Sequence, residues 1–151
     1  MNAIELLKAD HEAVSELFEE FKENEERDHT ELFKQIRDEL EVHTHIEETI
    51  FYPKLQEEGD EELRQIVLEG IEEHHQVKLF LREIGNLAES SEKFDAKLKV
   101  LIEDVEHHVE EEEGEMFPLV EDQFDSDTLD ELGAAMEAEK AKFIKKSSAF
   151  A

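Results

Sequence analysis

Apolar residues recur at steps of three and four along almost the whole chain, which is the period of helices with one face turned inward. Asn2, with Glu5 three positions on, forms a capping-box start, and Ile4, Leu7, Val14, Phe18 and Phe21 carry a first stripe to about Glu25. A polar break from Glu26 to His29 follows. Within it Asp28, with Glu31 three positions on, caps a second helix whose stripe is Phe33, Ile36, Leu40 and Ile50, ending near Glu58-Gly59. Asp60 caps a third, with Leu63, Val67, Val77, Leu81, Ile84 and Ala88. Ser91 opens a fourth, with Phe94, Leu98, Leu101, Val105, Met116 and Leu119, reaching about Asp122. A last amphipathic stretch begins near Ser126 to Thr128 and carries Leu129, Leu132, Met136, Phe143 and Ile144. Short connections make successive helices antiparallel neighbours. The expectation is an all-α chain: an antiparallel up-down-up-down four-helix bundle over 1–124, with an additional C-terminal helix over 125–151 packed on its outside.

The stripes carry more than hydrocarbon. Steps of three and four through 4, 7, 11, 14 and 18 turn His11 inward, and the series 36, 40, 43, 47, 50 does the same for His43 and Glu47, one turn apart. The third stripe brings in His74 and the fourth His108 and Glu112. The chain also repeats itself. His11-Glu-Ala-Val14 matches His74-His-Gln-Val77, and His43 with Glu47 before Phe51-Tyr52-Pro53 matches His108 with Glu112 before Met116-Phe117-Pro118. His11 and His43 are 32 positions apart and His74 and His108 are 34, so two hairpins bring all four histidines to a similar depth.

Two carboxylates in an apolar interior repel each other and cost several kcal/mol unless protonated, paired or bound to a cation. No lysine or arginine shares their stripes. Two divalent ions, each taking two imidazoles, with the glutamates as bridges, satisfy all six side chains and leave coordination positions for a small ligand. Nitrogen and oxygen donors without sulfur suit iron, manganese or zinc.

Composition narrows the rest. With 44 acidic residues against 16 basic, the net charge of -28 opposes a nucleic-acid backbone or an anionic membrane as partner. There is no cysteine, hence no disulfide, thiolate ligand or thiol nucleophile. The start MNAIELLKAD lacks a basic region before an apolar run, and no stretch is apolar enough to span a membrane, so a soluble cytoplasmic protein is expected.

The order His11, His43-x-x-x-Glu47, His74, His108-x-x-x-Glu112, with Pro53 and Pro118 each six positions after its glutamate, resembles the hemerythrin or HHE cation-binding domain over roughly residues 1–124. The resemblance implies a non-haem centre of two iron ions, oxo- or hydroxo-bridged, with zinc or manganese as alternatives. Its partner would be oxygen, nitric oxide or peroxide, in sensing or stress handling. Oxygen-carrying members have a fifth histidine one turn after the third-helix ligand, where this chain has Lys78, and an H-x-x-x-x-D in the fourth helix, where this chain offers Glu112 and Glu113. Periodicity favours Glu112. Three classes remain open: a binding or sensing module, a di-iron oxidoreductase with turnover, and a metal buffer or structural zinc site.

Other residues have plainer readings. His29, His45 and His107 fall off the stripes and read as surface residues, and His75 lies about 100° round the helix from His74. Glu48 and Glu113 are also off the stripe, so their loss is expected to matter little to the metal. Tyr52 pairs with Phe117 in the repeat and reads as aromatic packing. Gly70 leaves room either for a ligand or for close helix packing. Pro53 and Pro118 mark either kinks just past the glutamates or simple helix ends.

Overall fold

The computed structural model describes residues 1–24, 28–88 and 90–149, and the described residues are helical with short connections. Helix α1 is Ala3–Glu23, α2 Thr30–Ile46, α3 Tyr52–Glu58, α4 Glu61–Gly85, α5 Glu92–Glu111, α6 Phe117–Gln123 and α7 Ser126–Ala149. Helix α2 runs into α3 through a π-helical turn at Glu47–Phe51, and α5 runs into α6 through another at Glu112–Met116. The expected end of the first helix at Glu25 and part of the expected break from Glu26 to His29 lie outside the described residues, as do the last two positions of the C-terminal segment.

Local chemistry sets the helix starts. Asn2 closes a full capping box with Glu5, each bond 2.9 Å. The Asp60 side chain accepts from the Leu63 amide and the Ser91 hydroxyl from the Lys93 amide. At α2 the expectation was one residue off. Asp28 accepts from the Thr30 amide at 3.0 Å, not from Glu31, and the N-cap position belongs to His29. Ala88 falls beyond α4, which ends at Gly85.

The two π turns are the main departure from a simple helical stripe. In each, an amide bonds back five residues instead of four: Tyr52 N–H to the Glu47 carbonyl, and Phe117 N–H to the Glu112 carbonyl. The wider turn inserts one residue and rotates everything after it. The buried face therefore passes to Phe51 and Leu55, and to Phe117 and Val120, whereas Ile50 and Leu119 are only half-buried. Pro53 and Pro118 follow directly, near the start of the resumed α-helix where a missing N–H costs least. Neither proline ends its helix.

Two apolar cores result. One gathers Leu7, Ile46, Phe51, Leu55, Leu63, Val67, Met116, Phe117 and Val120 with Leu129, Leu132 and Met136 of α7. The other gathers Val14, Phe18, Phe33, Ile36, Leu40, Val77, Leu81, Ile84, Phe94, Leu98, Leu101 and Val105. Helices α1 and α4 pass from the first core to the second, while α2–α3 and α5–α6 return. Between the cores each crosses one polar level, at His11, His43 and Glu47, His74, and His108 and Glu112 respectively. Helix α7 packs against α1 and α2. Its Ile144, expected on the inward stripe, is 49% exposed. No helix among the described residues is long and apolar enough to cross a membrane.

Gly133 sets how closely α7 approaches, since a Cβ there would collide with the backbone of Met1, Asn2 and Ala3. Gly133→Ala should therefore lower stability by about 1–3 kcal/mol, as overpacking does. Thermal melting followed by circular dichroism checks this, and an unchanged midpoint contradicts the packing described.

Candidate metal centre

All six side chains that the stripes turned inward lie at the polar level between the cores, and all are buried. Each imidazole presents Nε2 to the middle. His43 and His74 both approach Glu47 Oε1, at 3.1 and 3.0 Å, while Glu112 divides its oxygens, Oε1 at 3.0 Å from His11 and Oε2 at 3.2 Å from His108. The duplication seen in the sequence is built into the geometry. His11 and His43 meet edge to face with ring centroids 4.9 Å apart and planes at 62°, and His74 and His108 repeat both values.

The opposite ring nitrogen of every histidine is also held. Nδ1 of His11 donates to Glu113 at 2.6 Å, of His43 to Asp10 at 3.1 Å, of His74 to Glu48 at 3.0 Å and of His108 to Glu73 at 2.7 Å. A carboxylate that accepts from Nδ1–H keeps that proton on Nδ1 and leaves the lone pair of the neutral imidazole on Nε2, the tautomer and orientation that a metal ligand needs. Glu48 and Glu113 are thus not idle neighbours, as their off-stripe positions suggested, but the groups that aim His74 and His11. Asp10 and Glu73, one residue before His11 and His74, were missed. The available signal was the repeat itself, which places an acidic residue before each of those histidines and after each core glutamate.

Lys78, which stands where oxygen-carrying members have a fifth histidine, does not face the centre. Its ammonium donates to Glu48 Oε1 at 2.7 Å, so it supports the carboxylate behind His74. Lys140 of α7 does the same for Asp10, at 2.5 Å. Tyr52 also departs from its reading as simple packing. Its hydroxyl donates to Glu112 Oε2 at 2.5 Å and lies 3.4 Å from His74 Nε2. Gly70 makes room for that hydroxyl, because a Cβ there would stand 3.1 Å from it. His45 is half-buried against Glu139, and His107 is exposed beside Glu111. His29 is buried, contrary to expectation, with Nδ1 donating to Asp95 and Nε2 to the Asn24 carbonyl. With both nitrogens acting as donors it is an imidazolium tying the α1–α2 connection to α5.

The donor set fits metal ions. His43 Nε2, His108 Nε2 and both oxygens of Glu47 have no hydrogen-bond partner, because the 3.0–3.2 Å approaches around them are close but lack hydrogen-bond alignment. Donors bound at right angles to one ion at about 2.1 Å sit about 3 Å apart, which is the spacing seen. Glu47, His74, His108 and Glu112 form one group able to hold an ion, and His11, His43 and Glu112 form another. Charge points the same way. Around four imidazoles stand six carboxylates and two ammonium groups, a deficit of four that two divalent ions or four protons balance.

Without ions, protons held at His43, His74 and His108 supply part of that charge. Burial alone would push the imidazoles down, but Glu47, Asp10 and Glu112 outweigh it at His43, which is raised to about 10. His74 and His108 are raised by their carboxylates against the same burial. Burial pushes Glu112 up, yet His108 and His11 hold it well below the usual carboxylate range. At Glu48, His74 and Lys78 overcome burial and bring it to about 2. Burial and the two central glutamates raise the Tyr52 phenol, keeping it a donor.

A cavity of about 20 Å³ touches all four histidines and is otherwise lined mainly by Val14, Leu40, Thr44, Val77, Val105 and Val109. That holds about one water-sized molecule. Thr44 and Val77 also line a larger groove of about 670 Å³ beside Arg37, Lys78 and Arg82, so they form the wall between the groove and the centre.

Comparison with known proteins agrees with this geometry. Residues 2–120 match the sequence profile of the hemerythrin HHE cation binding domain. A DNA nickase of Nostoc sp. (strain PCC 7120 / SAG 25.82 / UTEX 2576) is 27% identical over 146 residues, which cover 94% of this chain and 40% of the nickase. The chain therefore spans less than half the length of that relative. The crystal structure of a hemerythrin HHE cation binding domain-containing protein from Mycobacterium kansasii shares the fold, with a TM-score of 0.82 over 99% of this chain and 91% of that one, at 24% identity.

Metal-free protein should show opposed pH dependences. His43 is raised from 6.5, so the stability its protonation supplies is complete below pH 6.5 and lost as pH rises through about 10. Glu48 is lowered from 4.5, so its contribution is complete above pH 4.5 and lost as pH falls through about 2. Chelator-treated protein should melt at progressively lower temperature from pH 6.5 to pH 10, and a flat profile over that window contradicts the charge balance.

Proposed function

This chain belongs to the hemerythrin HHE cation-binding domain family, and from that premise we propose that it holds two iron ions between its histidine pairs and takes up oxygen, nitric oxide or peroxide beside them. The observation that carries this reading is the four-charge deficit around orphaned Nε2 and carboxylate atoms, where two histidine pairs each converge with a buried glutamate. His11 and His43 would hold one ion, His74 and His108 the other, and Glu47 and Glu112 would join them. The ions would supply the redox electrons and the ligand-binding positions. The chain's own residues do the remaining work. Outer carboxylates fix each ring, the valines keep bulk water out, and the 20 Å³ cavity limits the ligand to one or two heavy atoms.

One observation favours turnover over reversible carriage. With metal in place of protons on the imidazoles, the Tyr52 phenol keeps an O–H directed at Glu112 Oε2, able to pass a proton to that carboxylate when the charge at the centre changes. DNA nicking, the activity named for the Nostoc relative, has less support, because the net charge of -28 opposes a phosphate backbone.

Anaerobic loading with ferrous iron should give two ions per chain, and oxygen should then produce a visible absorption band. One colourless ion per chain would instead make this a buffer or structural site. Glu47→Ala or Glu112→Ala should abolish tight loading of at least one ion, whereas Glu48→Ala or Glu113→Ala should weaken it about 10–100-fold, the usual cost of losing a ligand-orienting partner. Unchanged affinity in the latter pair would show that the Nδ1 bonds do not aim the ligands. Tyr52→Phe should keep both ions and the ligand-dependent spectrum but slow peroxide or nitric oxide consumption, and equal rates would remove the case for turnover through this residue.

A further inference from the structure

The two halves of α7 are held differently. Leu129, Leu132 and Met136 are buried in the first core, and Gly133 lies against the start of α1. Beyond Met136 the contacts are mostly polar: Lys140 on Asp10 at 2.5 Å and Glu139 on His45 at 2.8 Å, with the Phe143 ring 4.6 Å from that of His45.

The Lys140 contact leads inward. Asp10 is 6% exposed and gives one oxygen to Lys140 and the other to His43 Nδ1, whose Nε2 faces Glu47. In the duplicated half Glu73 takes the place of Asp10 on His108. There the further neighbour is another carboxylate, Glu111, which Glu73 pushes up, and no lysine pairs with Glu73 among the described residues. Lys78 on Glu48 is the only comparable relay among the described residues, but it sits on α4 with His74 itself and ties in no further element.

We propose that Lys140 is a positioning residue for the metal centre: by fixing Asp10 on His43, it makes docking of the C-terminal half of α7 and metal affinity at the His11–His43 pair a single linked equilibrium. The inference rests on the metal reading above. A buried carboxylate with one oxygen deprived of its cation turns toward solvent or another donor, and the ring it aimed is freed with it. Linkage is reciprocal, so whatever factor Lys140 adds to metal affinity, bound metal adds to helix docking. Occupancy of an interior site is thereby reported on the surface.

The test is a competition titration of anaerobic ferrous iron against a chelator, on wild type, Lys140→Met, Lys140→Arg and the exposed-lysine control Lys142→Met. Lys140→Met should weaken one of two metal equivalents about 10-fold, Lys140→Arg should restore it, and Lys142→Met should match wild type. In an Asp10→Asn background Lys140→Met should add no further loss. Amide hydrogen exchange across residues 138–147 should be slowed by metal in wild type and not in Lys140→Met. Two unchanged equivalents in Lys140→Met, or exchange in wild type that ignores metal, would overturn the proposal while leaving the di-metal reading intact. Failure of wild type to bind two ions would overturn the reading beneath it.

Discussion

Two carboxylates buried side by side at the middle of a bundle are the constraint on which the rest of this structure turns. Glu47 and Glu112 have no exposure to speak of, and their repulsion in a low-dielectric interior is tolerable only with positive charge between them. The four imidazoles, the outer carboxylates that orient them and the two lysines behind Asp10 and Glu48 are all arranged around that need. The two apolar cores then act as insulation on either side, keeping water from the electrostatics that they enclose.

The π turns belong to the same logic. Each begins at a central glutamate, so the helix changes its winding where its most demanding side chain enters the interior. Such bulges cluster at functional sites because the extra residue re-aims a side chain without ending the helix. Here they also rotate Tyr52 and Phe117 beneath the histidines. His11 stacks on Phe117 with planes 2° apart, and His74 on Tyr52 at 30°.

Much of this could be read from residue order. A step of three and four is a strong signal, and it carried His11, His43, Glu47, His74, His108 and Glu112 to a common level because candidate-ligand and core positions share one face. What lay one position off the stripe was not legible in the same way. Asp10, Glu48, Glu73 and Glu113 look like solvated charge in a chain with 44 acidic residues, and only packing reveals that a side chain beside the stripe reaches round to a neighbouring helix's ring. The shift from Ile50 to Phe51 escaped for a related reason: an inserted residue alters phase without altering composition. His29 was misread because a histidine at a helix start is buried or exposed according to the loop that meets it.

The separation of the hydrocarbon into two layers has a consequence for the life of the molecule. Each layer gathers its own buried hydrocarbon from all four arms of the bundle, on either side of the polar level. On the proposed metal reading such a vessel would outlast its contents: filling and emptying would not pass through the unfolded chain, and what varied with supply would be how full it is, not how much of it survives.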